Sequence, residues 1–209
     1  MKVDRLITLE DRKRIERAVA DAESRTSAEI VPMILEESDS YPHLALMGAI
    51  FGYVVLLAAA LWLLPEIETL HQFAILIVGM FLGGLAGRYL APFRRLLLSR
   101  HVAQTEVHQR AIQFFFEHGL TRTRDRTGIL IFLSLLERRV QVIADEGIHQ
   151  KAPEKMWDGV VDLVLDGVRR NDLAGGLIKA IERCGELAAQ HFPRKPYDVN
   201  ELPDEIILK

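Results

Sequence analysis

The sequence has a single cysteine and no excess of positive charge. Cys184 has no partner among the 209 residues, so an intrachain disulfide framework is excluded and nothing indicates an oxidising compartment. The 26 lysines and arginines are outnumbered by 29 aspartates and glutamates, which gives a formal net charge of -3. Nucleic-acid-binding domains usually carry a clear basic excess, so we expect no nucleic-acid partner. The N-terminal segment lacks a basic stretch followed by an apolar core, so we also expect no cleaved signal peptide.

Lysine and arginine are absent between Phe51 and Gly84, although 26% of the chain is charged. Leu44–Leu64 is uncharged, and its length is close to the roughly 20 residues that a helix needs to cross a bilayer. Phe73–Leu90 is similar, and its one charge, Arg88, lies near the end, where the side chain can reach the lipid headgroups. We therefore predict a transmembrane helical hairpin over residues 43–92 that contacts the lipid bilayer.

The charges that flank the two apolar segments are distributed asymmetrically. The short link between them carries Glu66 and Glu68 but no lysine or arginine. The segment that follows the second span is basic instead. Its arginines are Arg88, Arg94, Arg95 and Arg100. Because basic residues near span ends favour the cytoplasmic side, we expect a multi-pass protein of the cell inner membrane with both termini in the cytoplasm.

Glycines recur at every fourth position in both apolar segments. They are Gly48 and Gly52 in the first segment and Gly79, Gly83 and Gly87 in the second. This spacing lets helix backbones approach closely within a membrane. The glycines can serve packing within the hairpin or a homodimer, and the short link favours packing within the hairpin.

The first flank of the hairpin, residues 1–42, is predicted to contain one helix and one strand. Thr8 is a plausible cap for a helix that begins at Leu9. Ala28–Leu35 is predicted to be a strand, and Pro32, which has no N–H group, indicates an edge strand or a bulge.

The second flank, residues 93–192, supplies partners for these two elements. The pattern predicts a helix over His101–Gly119, a buried strand over Gly128–Leu136, and a second strand over Arg138–Asp145 that forms a β-hairpin with the first. Two amphipathic helices follow, the first opened by Pro153.

Together the two flanks predict an α/β domain, a small sheet layered with helices, that the hairpin divides. The remaining residues, 193–209, are predicted to be an extended C-terminal tail.

Three stretches resemble the TPM domain family. "LEDRKRIERAVADAESRTSAEIVPMIL" is similar to its opening helix and strand, and "TGILIFLSLLERRVQVIADEGI" to its strand, turn and strand. "RRNDLAGGLIKAIE" is similar to the entry into its last helix. The resemblance covers residues 5–38 and 105–190 and includes no catalytic signature.

The resemblance implies an αβα sandwich, membrane association and a role in maintaining or repairing membrane complexes. It also implies weak phosphatase activity and divalent-cation binding in some members. The sequence departs from the family pattern in two ways: a transmembrane hairpin interrupts the domain, and the charge distribution assigns the domain to the cytoplasm.

Asp145 and Glu146 are the candidate metal ligands. They follow the second strand of the predicted β-hairpin, and strand ends in α/β sheets are common ligand positions. Paired carboxylates can bind Ca²⁺ or Mg²⁺ through oxygen. Alternatively, Asp145 caps a turn and Glu146 is solvated.

Arg122, Arg124 and Arg126 alternate along the chain and would share one face of an extended segment. Together with the arginines that follow the hairpin, they could bind phosphate or anionic lipid headgroups.

These features are compatible with two functions. The first is a non-enzymatic, membrane-anchored TPM-like protein that binds, assembles or maintains other membrane components, including membrane proteins. The alternative is a divalent-metal-dependent phosphatase in which Asp145 and nearby carboxylates hold the metal and Arg122, Arg124 and Arg126 hold phosphate. Because no catalytic motif is present in the sequence, we favour the first function.

Overall fold

The computed structural model describes residue 3 and residues 6–63, 66, 68–151 and 154–209. The chain forms two compact units. The first, called the domain below, combines Met1–Ser38 with Gln104–Lys209. The second, called the hairpin unit, is Asp39–Ala103.

The described residues form eight α-helices and four strands. In chain order these are α1 (Leu9–Glu23), β1 (Glu29–Leu35), α2 (His43–Leu63), α3 (Thr69–Tyr89), α4 (Ala91–Leu97), α5 (Arg100–Glu117), β2 (Gly128–Ser134), β3 (Arg139–Ala144), α6 (Glu146–His149), α7 (Asp158–Arg169), α8 (Leu173–His191) and β4 (Ile207–Leu208). Leu64 and Pro153, which the sequence assigned to a span end and a helix start, lie outside the described residues.

The four strands form one sheet in the order β3-β2-β1-β4 within the described part of the chain. β1 is parallel to β2, and β2 is antiparallel to β3, which confirms the predicted β-hairpin. β4 pairs in parallel with β1. The C-terminal tail therefore contributes a strand to the sheet, which the sequence did not lead us to expect.

β1 is not an edge strand and its register with β2 is uninterrupted, so the edge or bulge expected at Pro32 is wrong. The N–H group of Glu29 points toward β2 and donates to the Thr127 carbonyl, whereas that of Ile30 points away and donates to the Glu23 carboxyl. The N–H groups of successive residues in a strand point to opposite sides. An N–H group at position 32 would therefore point away from β2, as that of Ile30 does. The neighbour on that side is the two-residue strand β4, so Pro32 removes no hydrogen bond to β2.

The sheet is covered by helices on both faces. All residues of β1 and β2 are buried, and their alternate side chains point to opposite faces. One face packs against α1, α7 and α8, and the other packs against α5. The side chains on the first face are Ile30, Ile34, Ile129, Ile131 and Leu133, and those on the second are Val31, Met33, Leu35, Leu130 and Phe132. This arrangement is an αβα sandwich, as expected.

Helix caps and core positions follow the sequence pattern closely. The Thr8 hydroxyl accepts the Asp11 N–H at 3.1 Å, and the Asp11 carboxylate accepts the Thr8 N–H in return. The Asp172 carboxylate accepts the Gly175 N–H at the start of α8. Cys184 of α8 is fully buried, and burial raises the pKa of its thiol, so it is a core residue rather than a nucleophile.

A buried polar network closes the domain where the chain leaves it for the hairpin unit. The Ser38 hydroxyl donates to the Ser134 hydroxyl at 3.0 Å, which in turn donates to the Glu137 carboxylate. Glu137 also accepts the N–H of Ser38 at 2.9 Å. On the returning chain, Arg110 of α5 donates to the carbonyl of Ser38 at 2.9 Å. The residues on both sides of the insertion are thereby joined inside the domain.

In the hairpin unit, α2 and α3 are antiparallel and contact each other through their glycines. A Cβ atom on Gly52 would overlap the carbonyl oxygen of Gly79, and one on Gly48 would overlap that of Gly83. A Cβ atom on Gly87 would overlap the carbonyl oxygen of Leu44. Packing within the hairpin, the favoured role of these glycines, is therefore confirmed. The homodimer stays a prediction, and it would need a different helix face.

Replacing Gly83 by alanine should destabilise the hairpin unit by about 1–3 kcal/mol, because the new methyl group forces the two helices apart. Gly84→Ala is the matched control, since its Cβ atom would lie 3.6 Å from its nearest neighbours, an ordinary contact. The measurement is the free energy of unfolding in mixed detergent micelles, followed by circular dichroism. Equal stability of the two variants would contradict the glycine contact.

Candidate functional site

Asp145 lies where β3 ends and α6 begins, and it is held by Arg126. The Asp145 side chain is 4% exposed. Its Oδ1 accepts hydrogen bonds from Nη2 of Arg126 at 3.0 Å and from the N–H of Glu146 at 2.8 Å. Nε of Arg126 lies 2.7 Å from Oδ2, an ion-pair contact that is not aligned as a hydrogen bond. The structure thus brings together a residue predicted to bind a metal and a residue predicted to bind phosphate.

The neighbouring candidate, Glu146, is exposed and does not join Asp145 in a ligand cluster. Within the described ranges, no group of three or more histidine, cysteine, aspartate or glutamate side chains could hold a metal ion. The guanidinium of Arg126 also supplies to Asp145 the positive charge that a cation would supply. Binding of Ca²⁺ or Mg²⁺ by Asp145 and Glu146 stays a prediction.

The segment that carries Arg122, Arg124 and Arg126 is not extended, so the expectation that strand alternation gives them a shared face is wrong. Arg122 ends a 3-10 turn that begins at Leu120, and Arg124 lies in a following turn. Arg126 has a left-handed backbone with φ of 57°. The N–H of Arg122 donates to the carbonyl of Gly119, and that of Arg126 donates to the carbonyl of Thr123, so local hydrogen bonds fold this segment into turns. Whether these arginines bind phosphate or lipid headgroups stays a prediction.

Two open cavities lie at the end of the sheet where β1 and β2 begin. The first has a volume of about 420 Å³ and the second about 400 Å³. Asp125, Lys195 and Pro196 line both, so the cavities meet at the ion pair in which Nζ of Lys195 lies 2.6 Å from Oδ2 of Asp125. The tail residues that line the cavities were missed in the sequence because the tail was expected only to extend over the surface. The basic run "PRK" that follows α8 is the sequence feature that could have indicated these tail residues.

The C-terminal tail is attached to the domain through the Glu29 carboxylate. This group accepts the N–H groups of Glu201 and Leu202, each at 3.2 Å. Burial raises the pKa of Glu29, and the two N–H groups oppose that change. The same tail then continues into β4.

Glu23, at the end of α1, lies close to this attachment. Burial raises the pKa of its carboxyl group to about 9, and the carboxylates of Glu29 and Asp204 contribute in the same direction. The N–H of Ile30, which donates to Glu23 at 2.7 Å, opposes the shift. The Glu23 carboxyl group is therefore protonated at neutral pH.

Part of the chain matches a known family. Residues 95–187 match the family model described as TPM domain. The match spans less than half of the chain, so the chain is similar to TPM domain proteins over these residues, and the domain that contains most of them is called the TPM domain below. The match includes α5, β2 and β3 but not α1 or β1, which precede the hairpin unit. Because β1 pairs with β2 along its whole length, Met1–Ser38 belongs to the same compact domain as the matched strands.

The fold is similar to the NMR structure of the BA42 protein from the psychrophilic bacterium Bizionia argentinensis. The TM-score is 0.63, the sequence identity is 21%, and the similarity covers 100% of this chain and 99% of that chain. At this identity the comparison supports the fold alone. No curated protein matches the chain.

Arg126→Met should destabilise the TPM domain by about 1–3 kcal/mol, because it leaves the buried Asp145 carboxylate without its charged partner. Arg124→Met is the control, since Arg124 is exposed and it is its backbone N–H that binds Glu201. Urea unfolding at neutral pH measures the difference. A loss of stability as large in the control would contradict the role given to the ion pair.

Glu23→Gln should change how stability depends on pH. With a folded-state pKa of about 9, above the ordinary 4.5, Glu23 contributes stability that is complete below pH 4.5 and is lost as the pH rises through about 9. Glutamine cannot ionise, so the variant should lose less stability than the wild type between pH 5 and 9. Urea unfolding across this range measures the effect. Glu182→Gln, at an exposed position of α8, should behave as the wild type, and identical slopes for all three proteins would contradict the assignment.

Proposed function

We propose that the chain is a membrane-anchored TPM domain protein that binds or helps to assemble other membrane components. In this proposal α2 and α3 span the cell inner membrane and both parts of the TPM domain lie in the cytoplasm. The bilayer is then one partner, and other membrane proteins are the components that the domain engages.

The supporting observation is the apolar surface of the hairpin unit. Within the described residues, α2 and α3 are long and apolar enough to cross a membrane. Only 17% of the most apolar stretch of α2 and 11% of that of α3 is buried, whereas the apolar core helix of a soluble protein is mostly buried. Side chains such as Trp62 and Ile77 are 87% and 68% exposed. Soluble monomers rarely expose continuous apolar patches of more than a few hundred Å², so a bilayer is the environment that suits this surface.

The proposed orientation rests on charge. Arg94 and Arg95 lie on α4, directly after α3, and Arg88 lies in the last turn of α3. Glu66 and Glu68 are at the opposite end of the hairpin. Since basic residues near span ends favour the cytoplasm, the end with α4 is assigned to that side.

The alternative, a divalent-metal-dependent phosphatase, lacks a supporting observation of this kind. Asp145 is paired with Arg126, and the described residues provide no third ligand beside Asp145 and Glu146. We therefore propose binding and assembly rather than hydrolysis.

Lysine at the middle of both spans should prevent stable insertion. Val54 and Phe81 are 53% and 65% exposed near the centres of α2 and α3, and a lysine at a span centre costs about 2.5–3.5 kcal/mol. The Val54→Lys, Phe81→Lys double variant should lose resistance to alkaline extraction from membranes. The control is Val199→Lys, which adds charge at an exposed position of the TPM domain and should stay in the membrane fraction.

The orientation is checked in sealed vesicles that carry a tag at each terminus of the wild-type chain. A protease added from the cytoplasmic face should remove both tags. Removal of only one tag would contradict the hairpin, and a wild-type chain that is released by alkaline extraction would contradict membrane anchoring.

A further inference from the structure

We propose that the larger cavity of the TPM domain binds a small organic anion, with a carboxylate or phosphate group on an apolar body. We call this site the basic cavity and define it by Asp125, Lys151, His191, Phe192, Arg194 and Lys195. Its volume of about 420 Å³ is within the range of small-molecule sites, roughly 300–1,000 Å³. This inference concerns the TPM domain alone and does not depend on the membrane proposal.

Segments that are distant in the sequence build the basic cavity. Ser27 precedes β1, Asp125 precedes β2, and Lys151 follows α6, while the other residues end α8 and begin the tail. Gly147 forms a rigid part of the wall, because a Cβ atom there would overlap the carbonyl oxygens of Asp125 and Arg126. The cavity therefore exists only in the folded domain.

The charge of the basic cavity is positive. Lys151, Arg194 and Lys195 line it together with a single carboxylate, Asp125, among its described lining residues. Lys195 already neutralises Asp125 through the 2.6 Å ion pair. Within the described ranges, no carboxylate forms an ion pair with Lys151 or Arg194, so their charges are available to an anion. His191 adds a ring that can donate a hydrogen bond.

Two of the basic groups are held in place by contacts with the domain. Nζ of Lys151 lies 4.9 Å above the centroid of the Phe192 ring, and Nη1 of Arg194 donates to the Ser24 carbonyl at 3.3 Å. Each group keeps further N–H donors for a ligand. Phe192 is 8% exposed, and its carbonyl accepts the N–H of Ser27, which holds its backbone in place. Pro193 and Pro196, which are exposed, add apolar surface to the lining, so a ligand with an anionic group and an apolar body matches the cavity.

A second role for these cations has to be separated from ligand binding. α8 ends at His191, and basic side chains near a helix C-terminus stabilise the helix through its dipole. If this were their only role, replacing them would lower stability without changing the affinity for an anion.

The experiment uses the full-length protein in neutral detergent micelles and fluorine NMR of three probes: 4-fluorobenzoate, 4-fluorophenyl phosphate and 4-fluorobenzyl alcohol. At least one of the two anions should bind with an affinity that falls at least about tenfold in the Lys151→Gln, Arg194→Gln double variant, because two charge-assisted hydrogen bonds are lost. The neutral alcohol should show no difference between the two proteins, which separates binding at the cavity from partition into micelles. Comparing the two anions tells a carboxylate ligand from a phosphate ligand.

The matched control is Lys179→Gln, at an exposed position in the middle of α8, which should bind both anions as the wild type does. Added sodium chloride should weaken binding to the wild type, a result that needs no variant. The inference is overturned if neither anion binds, or if the double variant unfolds at a lower temperature but binds the anions unchanged.

Discussion

The parallel pairing of β1 with β2 holds this molecule together, because it joins two parts of the domain that the hairpin unit separates in the chain. Parallel neighbours need a long crossover connection, usually through a helix. Here the crossover contains the whole hairpin unit and then α5, which covers one face of the sheet. Since both strands are buried on both faces, neither part of the domain could bury its own strand alone.

The polar network at the insertion complements this pairing. Ser38, Ser134 and Glu137 satisfy one another where β1 and β2 end, and Arg110 adds the carbonyl of Ser38 to the network. A buried polar group without a partner would cost free energy, so the network favours one geometry for the chain leaving and re-entering the domain. At the opposite end of the sheet, by contrast, the connections leave open cavities that are lined by charged side chains. One end of the TPM domain therefore carries the insertion, and the other is where we propose that an anion binds.

Local sequence patterns predicted the features that depend on neighbours in the chain. The Thr8 cap, the β2–β3 hairpin and the helix α5 are present as expected. The expectations that failed depend on distant residues. Pro32 lies in an interior strand because a two-residue strand from the other end of the chain pairs beside it. Likewise, Asp145 and Arg126 meet only because β3 ends beside the turn that precedes β2.

The sequence by itself determined the division of the chain into an interrupted α/β domain and an apolar hairpin, because hydropathy and periodicity are properties of adjacent residues. It also determined that the glycines at every fourth position would form a close helix contact. The tertiary structure alone decided which residues surround the cavities and which strand the tail becomes. The physical reason is that these contacts join residues as far apart as Ser27 and Lys195, whose proximity follows from the packing of the whole sheet.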